Sequence, residues 1–226
     1  MTNLRIGIPS KGRLEQVASE LLQQAGLNFR RQDRTLFAKV RDMPVDVVFL
    51  RADDIPTLCA EGAIDFGITG GDLIAESRRD SDLIRRLPLN AGACSLALCV
   101  PIDSSLQTAA ELHGKRVATS FPRVTEEYLA KHKAKAHLVE LMGSVEIMIQ
   151  LGVADAIVDL VETGSTLAAN RLRLFERIGH YEMMLIQNTA QREGELADRI
   201  VRRLEGAVIA RGYSLLEYNV PRARLA

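Results

Sequence analysis

GVADAIVDLVETGSTL, residues 152–167, follows the same pattern as GAIDFGITGGDL, residues 62–73. Each runs from a glycine through two residues to an aspartate. An apolar run, a loop of small residues and a leucine follow. A short, continuously apolar run bounded by glycine reads as a buried strand. The small residues after it read as the entry to a helix. The pairing extends upstream. VVFLRADDI (47–55) matches HLVELMGSV (137–145), and LRIGIPSKGRL (4–14) matches KRVATSFPRVT (115–125). Repetition of whole supersecondary units predicts two similar α/β lobes.

Strands are expected at residues 4–9, 37–40, 45–50, 65–69, 116–119, 138–141, 172–177 and 183–186, with strand-like sequence over 83–100 and a further strand at 214–220. Helices are expected at 14–25, 55–61, 106–112, from the end of the 120–125 loop to His132, from Gly143 to Gly152, and at 195–210. The helix at 14–25 places Leu14, Val17, Ala18, Leu21 and Leu22 on one face and stops at Gly26. Residues 1–93 with 187–226 make up the first lobe, and residues 94–186 the second.

The chain has 226 residues, 47% of them hydrophobic, enough for a substantial core. Lys+Arg and Asp+Glu are both 29. A balanced charge argues against a general nucleic-acid binder, which carries a basic excess, and favours association with other chains. No apolar run reaches the length of a membrane span, and MTNLRIGIPSKGRL lacks the layout of a signal peptide. Cys59, Cys94 and Cys99 form no CxxC pair, which points to a reducing, cytoplasmic setting with no disulfide framework or zinc site. His113, His132, His137 and His180 are scattered, without ligand spacing. GxxxxGK[ST] and GxSxG are both absent, which excludes a P-loop and a hydrolase elbow.

Ligands of open α/β sheets bind beyond the carboxyl ends of the strands. Six loops are therefore expected at one inter-lobe cleft: residues 10–13, 51–54, 69–72, 120–125, 143–146 and 162–166. They are rich in glycine, hydroxyls and helix starts, which suits anions. Gly164 lets a ligand approach the backbone, and Thr163, Ser165 and Thr166 add hydroxyls. Lys11, Arg13, Arg34 and Arg51 are the candidate cations, with Arg30 and Arg31 competing for the place of Arg34. Asp72 is either a cleft residue or an acid of a helix first turn.

IPSKGRL, LRADDIP, EGAIDFGITGGDL, ELMGSVE and, above all, ADAIVDLVETGSTLAAN resemble the ATP phosphoribosyltransferase family, in order and over nearly the whole chain. The resemblance implies a two-lobed, periplasmic-binding-protein-like (type II) fold with the active site between the lobes. It implies transfer of the phosphoribosyl group of phosphoribosyl pyrophosphate (PRPP) to N1 of ATP, with Mg²⁺, as the first step of histidine biosynthesis. It favours Arg51 and Arg34 as contacts to the leaving pyrophosphate. Thr163, Gly164, Ser165 and Thr166 would then cradle the 5′-phosphate, Asp159 and Glu162 would hold the ribose hydroxyls, and Gly143, Ser144 and Glu146 would help bind nucleotide or phosphates. The length resembles the short form, whose partner is a regulatory relative of histidyl-tRNA synthetase in a hetero-octamer built on homodimers of the catalytic chain. The sequence departs from the family at SFPRVT (120–125), where a KYPNLT-like stretch is more usual. Arg123 is therefore unexpected.

The expected reaction fits these residues. Adenine N1 carries its own lone pair, so no general base is needed for attack. Cations and Mg²⁺ that stabilise the departing pyrophosphate should dominate. The competing reading is a cytosolic two-lobed sensor that binds a small anion without chemistry. A third is a structural subunit of an active partner.

Overall fold

The computed structural model describes residues 3–32, 35–161, 165–190, 194–214 and 216–217. Eleven strands and six helices are found among them: β1 (Leu4–Pro9), α1 (Arg13–Gln24), β2 (Phe37–Lys39), β3 (Val45–Leu50), α2 (Ile55–Ala60), β4 (Phe66–Gly70), α3 (Gly71–Glu76), β5 (Leu83–Pro88), β6 (Cys94–Pro101), β7 (Arg116–Thr119), α4 (Pro122–Lys131), β8 (His137–Glu140), β9 (Ala156–Val161), α5 (Ser165–Ala169), β10 (Leu172–Tyr181), β11 (Met183–Asn188) and α6 (Glu195–Arg211).

The strands form two sheets, in the orders β2-β3-β1-β4-β11-β5 and β10-β6-β9-β7-β8. The repeat is visible in this order. The parallel trio β3-β1-β4 of the first sheet corresponds to β8-β7-β9 of the second. Each trio then takes an antiparallel fourth strand from the far side of the chain. β11 pairs with β4, and β6 pairs with β9. The two lobes thus exchange strands at their shared border, and the chain crosses between them at residues 89–93 and again at Glu182.

That second crossing corrects the sequence boundary. The sequence pattern assigns residues 183–186 to the second lobe, but they belong to β11, an inner strand of the first sheet between β4 and β5. An apolar strand carries no label of the sheet it joins, so sequence pattern alone cannot place it.

Both sheets are covered on both faces. Ile6, Ile8 and Phe49 pack under Leu21, Leu22, Ile200 and Leu204 of α1 and α6. Val48 and Ile186 face the opposite way, towards Ile55 and Cys59 of α2. In the second lobe Ala156 and Val158 share a cluster with Phe121, Val124 and Leu129 of the β7–α4 segment, while Ile157 joins Val145 and Leu167 on the other side. Burial on both faces is the reason these strands read as continuous apolar runs.

The aspartates of the repeat have a structural role. Asp65 accepts from the backbone N–H of Arg5 at 2.6 Å, and Asp155 accepts from the backbone N–H of Arg116 at 2.8 Å. Each aspartate's own N–H returns to that arginine's carbonyl at 2.9 Å. Arg116 adds two side-chain bonds to Asp155, at 3.3 and 2.9 Å. These bonds, with the Arg116 charge, hold the Asp155 carboxyl below its ordinary range. A depressed carboxyl pKa stabilises the fold above the unfolded value, and the contribution is lost as pH falls through the folded value. Asp155→Asn should therefore lower Tm by about 2–4 °C at pH 7. In thermal melts that gap should close below about pH 4. A gap independent of pH would mean the charge is not what stabilises.

Several element readings change. Residues 143–152 were expected to form a helix, but only a 3₁₀ turn, Val145–Met148, is present. Gly143 and Ser144 both have positive φ, 143° and 52°. Ser144 is therefore not in the extended conformation from which a serine caps a helix. Residues 106–112 likewise shrink to a 3₁₀ turn, Ala109–Leu112, capped by reciprocal Thr108 and Glu111 bonds. Helix α4 starts at Pro122, inside the expected loop, because proline suits a first helical turn. The strand expected at 214–220 falls largely outside the described residues, and Ser214 is not in a strand.

Candidate active site

The loop after β1 carries Lys11, Gly12 and Arg13. Gly12 has φ +80°, a backbone state that favours glycine, and it turns the chain directly into α1. The loop is held from behind. Arg31 donates to the Ser10 carbonyl at 2.9 Å, lies 4.0 Å from the Phe49 ring centroid, and reaches Glu15 at 3.9 Å. Arg31, a competitor for a catalytic place in the sequence, is thus a clamp that fixes the Lys11–Arg13 loop. Nothing in its spacing distinguishes it from Arg30. The distinction comes from Phe49, which is distant in sequence.

A cavity of about 250 Å³ lies between the lobes. Pro9, Lys11, Gly12, Arg13 and Leu14 line it from the β1–α1 loop. Ala52, Gly70, Asp72 and Gly92 come from other parts of the first lobe, and Cys94 and Leu160 from the second. Three of the predicted loops, 10–13, 51–54 and 69–72, therefore meet the end of β9 at one cleft. A larger groove of about 650 Å³ runs along α4 and the edge strand β8, but none of the candidate residues lines it.

Arg51 follows β3 and is largely exposed, donating to Asp53 through Nε at 3.2 Å and Nη2 at 3.0 Å. The Asp53 carboxyl is held below its usual range first by the Arg51 hydrogen bond, with a smaller contribution from the Lys11 charge. Arg51 and Asp53 flank Ala52, which lines the cavity, but neither lines it itself. Arg51 is engaged within its own loop in this state.

Asp72 lies in the first turn of α3 and is only 6% exposed. Burial pushes its carboxyl up, opposed by hydrogen bonds from its own N–H and that of Leu73. It thus acts as a helix-start acid while also lining the cleft. A side chain at Gly70 would displace the Asp72 carboxylate, the group it would meet first.

Asp159 projects from β9. Burial raises its carboxyl above the ordinary range, the Leu160 N–H bond at 2.8 Å opposes this, and the Glu146 charge raises it further. Glu146 lies in the 3₁₀ turn Val145–Met148 and is half-buried. Gly143 and Ser144 are exposed beside it. Helix α5 begins at Ser165, and the Thr166 carbonyl accepts from Asn170 Nδ2 at 2.9 Å. Arg34, Glu162, Thr163 and Gly164 lie outside the described residues, so their predicted places stand as sequence expectations.

The 120–125 loop departs from expectation. Arg123 donates to the Ala75 carbonyl of α3 and pairs with Glu127 at 3.0 Å. Its guanidinium is thus taken up by α3 and its own helix. Cys59 and Cys99 are buried, and burial pushes both thiols up to about 12. That makes them inert apolar fillers, as expected for buried cysteines.

A family model described as "HisG: ATP phosphoribosyltransferase" matches residues 51–206. The chain is 66% identical over 223 residues to an ATP phosphoribosyltransferase of Rhodopirellula baltica, covering 99% of this chain and 74% of that protein. It is 39% identical to one from Maricaulis maris, covering 99% and 79%. Among solved structures, the ATP phosphoribosyl transferase (HisG:HisZ) complex from Thermotoga maritima superposes with a TM-score of 0.80 at 27% identity, covering 92% of this chain and 99% of that one. The GluR0 ligand-binding core in complex with L-glutamate superposes with a TM-score of 0.61 at 13% identity, covering 94% and 95%, a likeness of fold alone.

Proposed function

The chain belongs to the ATP phosphoribosyltransferase family, enzymes of histidine biosynthesis, and from that premise we propose that its inter-lobe cleft is where PRPP and ATP react. The observation that carries this assignment is the meeting of the Lys11–Arg13 loop with the end of β9, whose chain runs on into the 163–166 loop. Lys11 and Arg13 of one lobe thereby share a cavity with Leu160 at the end of β9 of the other, five residues before Ser165.

In this reading Thr163, Gly164, Ser165 and Thr166 hold the 5′-phosphate, and Asp159 with Glu162 holds the ribose hydroxyls. Pyrophosphate leaves as N1 of ATP attacks the anomeric carbon. The bond from that carbon to N1 forms as the bond to the pyrophosphate oxygen breaks. Negative charge grows on the leaving group, and Lys11, Arg51 and Arg34 stabilise it. Arg13 and Asp72 on the first lobe, with Gly143, Ser144 and Glu146 on the second, border the nucleotide. Lobe closure would bring the two substrates into line.

Mg²⁺ is proposed to arrive with the substrate phosphates and to supply further charge neutralisation. Such an ion keeps several waters and binds through phosphate with one or two protein carboxylates, so Asp159 and Glu146, proposed above for the ribose and the nucleotide, are the carboxylates that would meet it. Assembly with a HisZ-type regulatory subunit, as in the Thermotoga maritima complex, is proposed for this chain too. The short form and a homodimer within a hetero-octamer belong to the same proposal. A cytoplasmic location is part of this reading; among the described residues no helix is long and apolar enough to cross a membrane.

Calorimetric titration with Mg-PRPP, of the chain alone and with the regulatory subunit, tests the assignment. Saturable binding that Gly164→Val abolishes and Lys11→Ala weakens is the expected result. Binding untouched by both substitutions would place PRPP elsewhere. Tight binding of simple anions with no turnover, even with the regulatory subunit present, would favour the sensor.

A further inference from the structure

Helix α3 follows β4 of the first sheet, but it is fastened to the second lobe. Its Leu73 and Ala75 pack against the second-lobe core cluster that holds Val124, Tyr128 and Leu129. At its last residue, Glu76 turns both carboxylate oxygens onto the start of α4. Oε1 accepts from the Arg123 N–H at 2.8 Å, and Oε2 accepts from the Val124 N–H at 3.1 Å. These N–H groups belong to the first turn of α4, which has no side-chain cap of its own. Such amides have no partner within their helix, and the helix dipole favours an anion there. Two further contacts run the same way. Arg123 donates to the Ala75 carbonyl, and Arg78, just beyond α3, reaches Glu126 at 3.7 Å.

We infer that Glu76 is a positioning residue: its carboxylate caps α4 across the lobe interface and, with Arg123, clasps the lobes at a defined opening of the cleft. The geometry argues against an ordinary local cap. An ordinary cap comes from the residue just before its own helix, whereas this one comes from the other side of the β5–β6 crossover, 47 residues away from Arg123. The opposite end of α3 is tied to the second crossing, because the Gly71 N–H donates to the Glu182 carbonyl at 2.8 Å. The same helix carries Asp72 into the cleft at its other end. Holding α3 against α4 therefore fixes where one wall of the cleft stands. It also gives Arg123, unexpected from the sequence, partners in the Ala75 carbonyl and Glu127. The proposal concerns lobe geometry and holds whichever ligand the cleft takes.

Spin labels on Lys39→Cys and His137→Cys, exposed positions on the edge strands of the two sheets, report the inter-lobe distance in a Cys94→Ser background. The unsubstituted clasp should give a narrow distance distribution, and Glu76→Ala should broaden it. Arg123→Ala, which keeps the backbone N–H groups, should broaden it less, and Glu76→Gln should fall between. The apparent KM values for ATP and for PRPP should rise together in Glu76→Ala, by about threefold to tenfold, because fewer molecules hold the binding-competent opening. A residue that touches one substrate would move one KM only. Should Glu76→Ala fail to fold, Glu76→Gln and Arg123→Ala carry the test. Unchanged distance distributions in the folded variants would reduce Glu76 to a helix cap and overturn the inference. The distance readout needs no turnover, so its failure is separable from failure of the active-site assignment.

Discussion

Arg51→Ala is expected to lower kcat by about 100- to 1000-fold while changing PRPP affinity by less than about threefold. The asymmetry follows from when charge appears. In the ground state pyrophosphate is esterified and its charge is shared with Mg²⁺. In the transition state the breaking bond delivers another charge to the oxygen that Arg51 would face. Arg51 is bound to Asp53 here, and this does not weaken the expectation. An exposed pair of this sort contributes little net stability, so a polyanion displaces it readily. Asp53 then serves to park the guanidinium between turnovers. Asp53→Asn should change kcat by less than about fivefold. Steady-state kinetics with a parallel calorimetric titration decides the matter. Equal losses in kcat and PRPP affinity for Arg51→Ala would remove its transition-state role. A loss in Asp53→Asn as large as that in Arg51→Ala would mean the carboxylate itself acts on substrate.

Gly92→Val is expected to be the most damaging single change at the lobe border. Gly92 has φ +63°, and a Cβ there would stand 2.8 Å from Met183 Cγ and 3.1 Å from Leu14 Cδ2. Met183 is fully buried and cannot easily retreat. Its backbone is bonded on both sides, to the Ala91 carbonyl and the Leu89 N–H, each at 2.9 Å. A β-branched residue at positive φ and overpacking against a fixed strand each cost about 1–3 kcal/mol. The sum, about 2–6 kcal/mol, corresponds to a Tm lowered by roughly 4–24 °C for a chain of this size. Gly92 also lines the cleft, so substrate binding should weaken even at temperatures where the variant stays folded. Scanning calorimetry with Gly92→Ala as the milder comparison provides the check. A Tm within about 2 °C of the parent would show that the crossing can relax around a side chain, contrary to the packing argument.

What the sequence determined by itself was the repeated unit. Phe66–Gly70 in the first run and residues 156–158 in the second are buried throughout, and such strands announce themselves by near-continuous apolar sequence. The parallel trio in each lobe is seen in the structure, whereas two lobes, and loops gathered at the carboxyl ends of the strands, follow from that pattern. So did the gathering of Lys11, Arg13, Asp72 and the end of β9, since each lies at the end of a recognisable strand. Tertiary structure decided whatever depends on partners far apart in the chain. It placed Met183–Asn188 in the first sheet, because an apolar strand pairs with the edge that geometry offers. It turned Arg31 into a clamp through Phe49 and Ser10, and tied Arg123 to Ala75 and Glu127. It used Asp65 and Asp155, conspicuous in the repeat, to tie Arg5 and Arg116 at the starts of β1 and β7. It set Glu76 on the amides of α4. Composition and periodicity report how each residue meets its own element. Which charge meets which amide is settled only when the two sheets have twisted and packed, and that is where the cleft acquires its width.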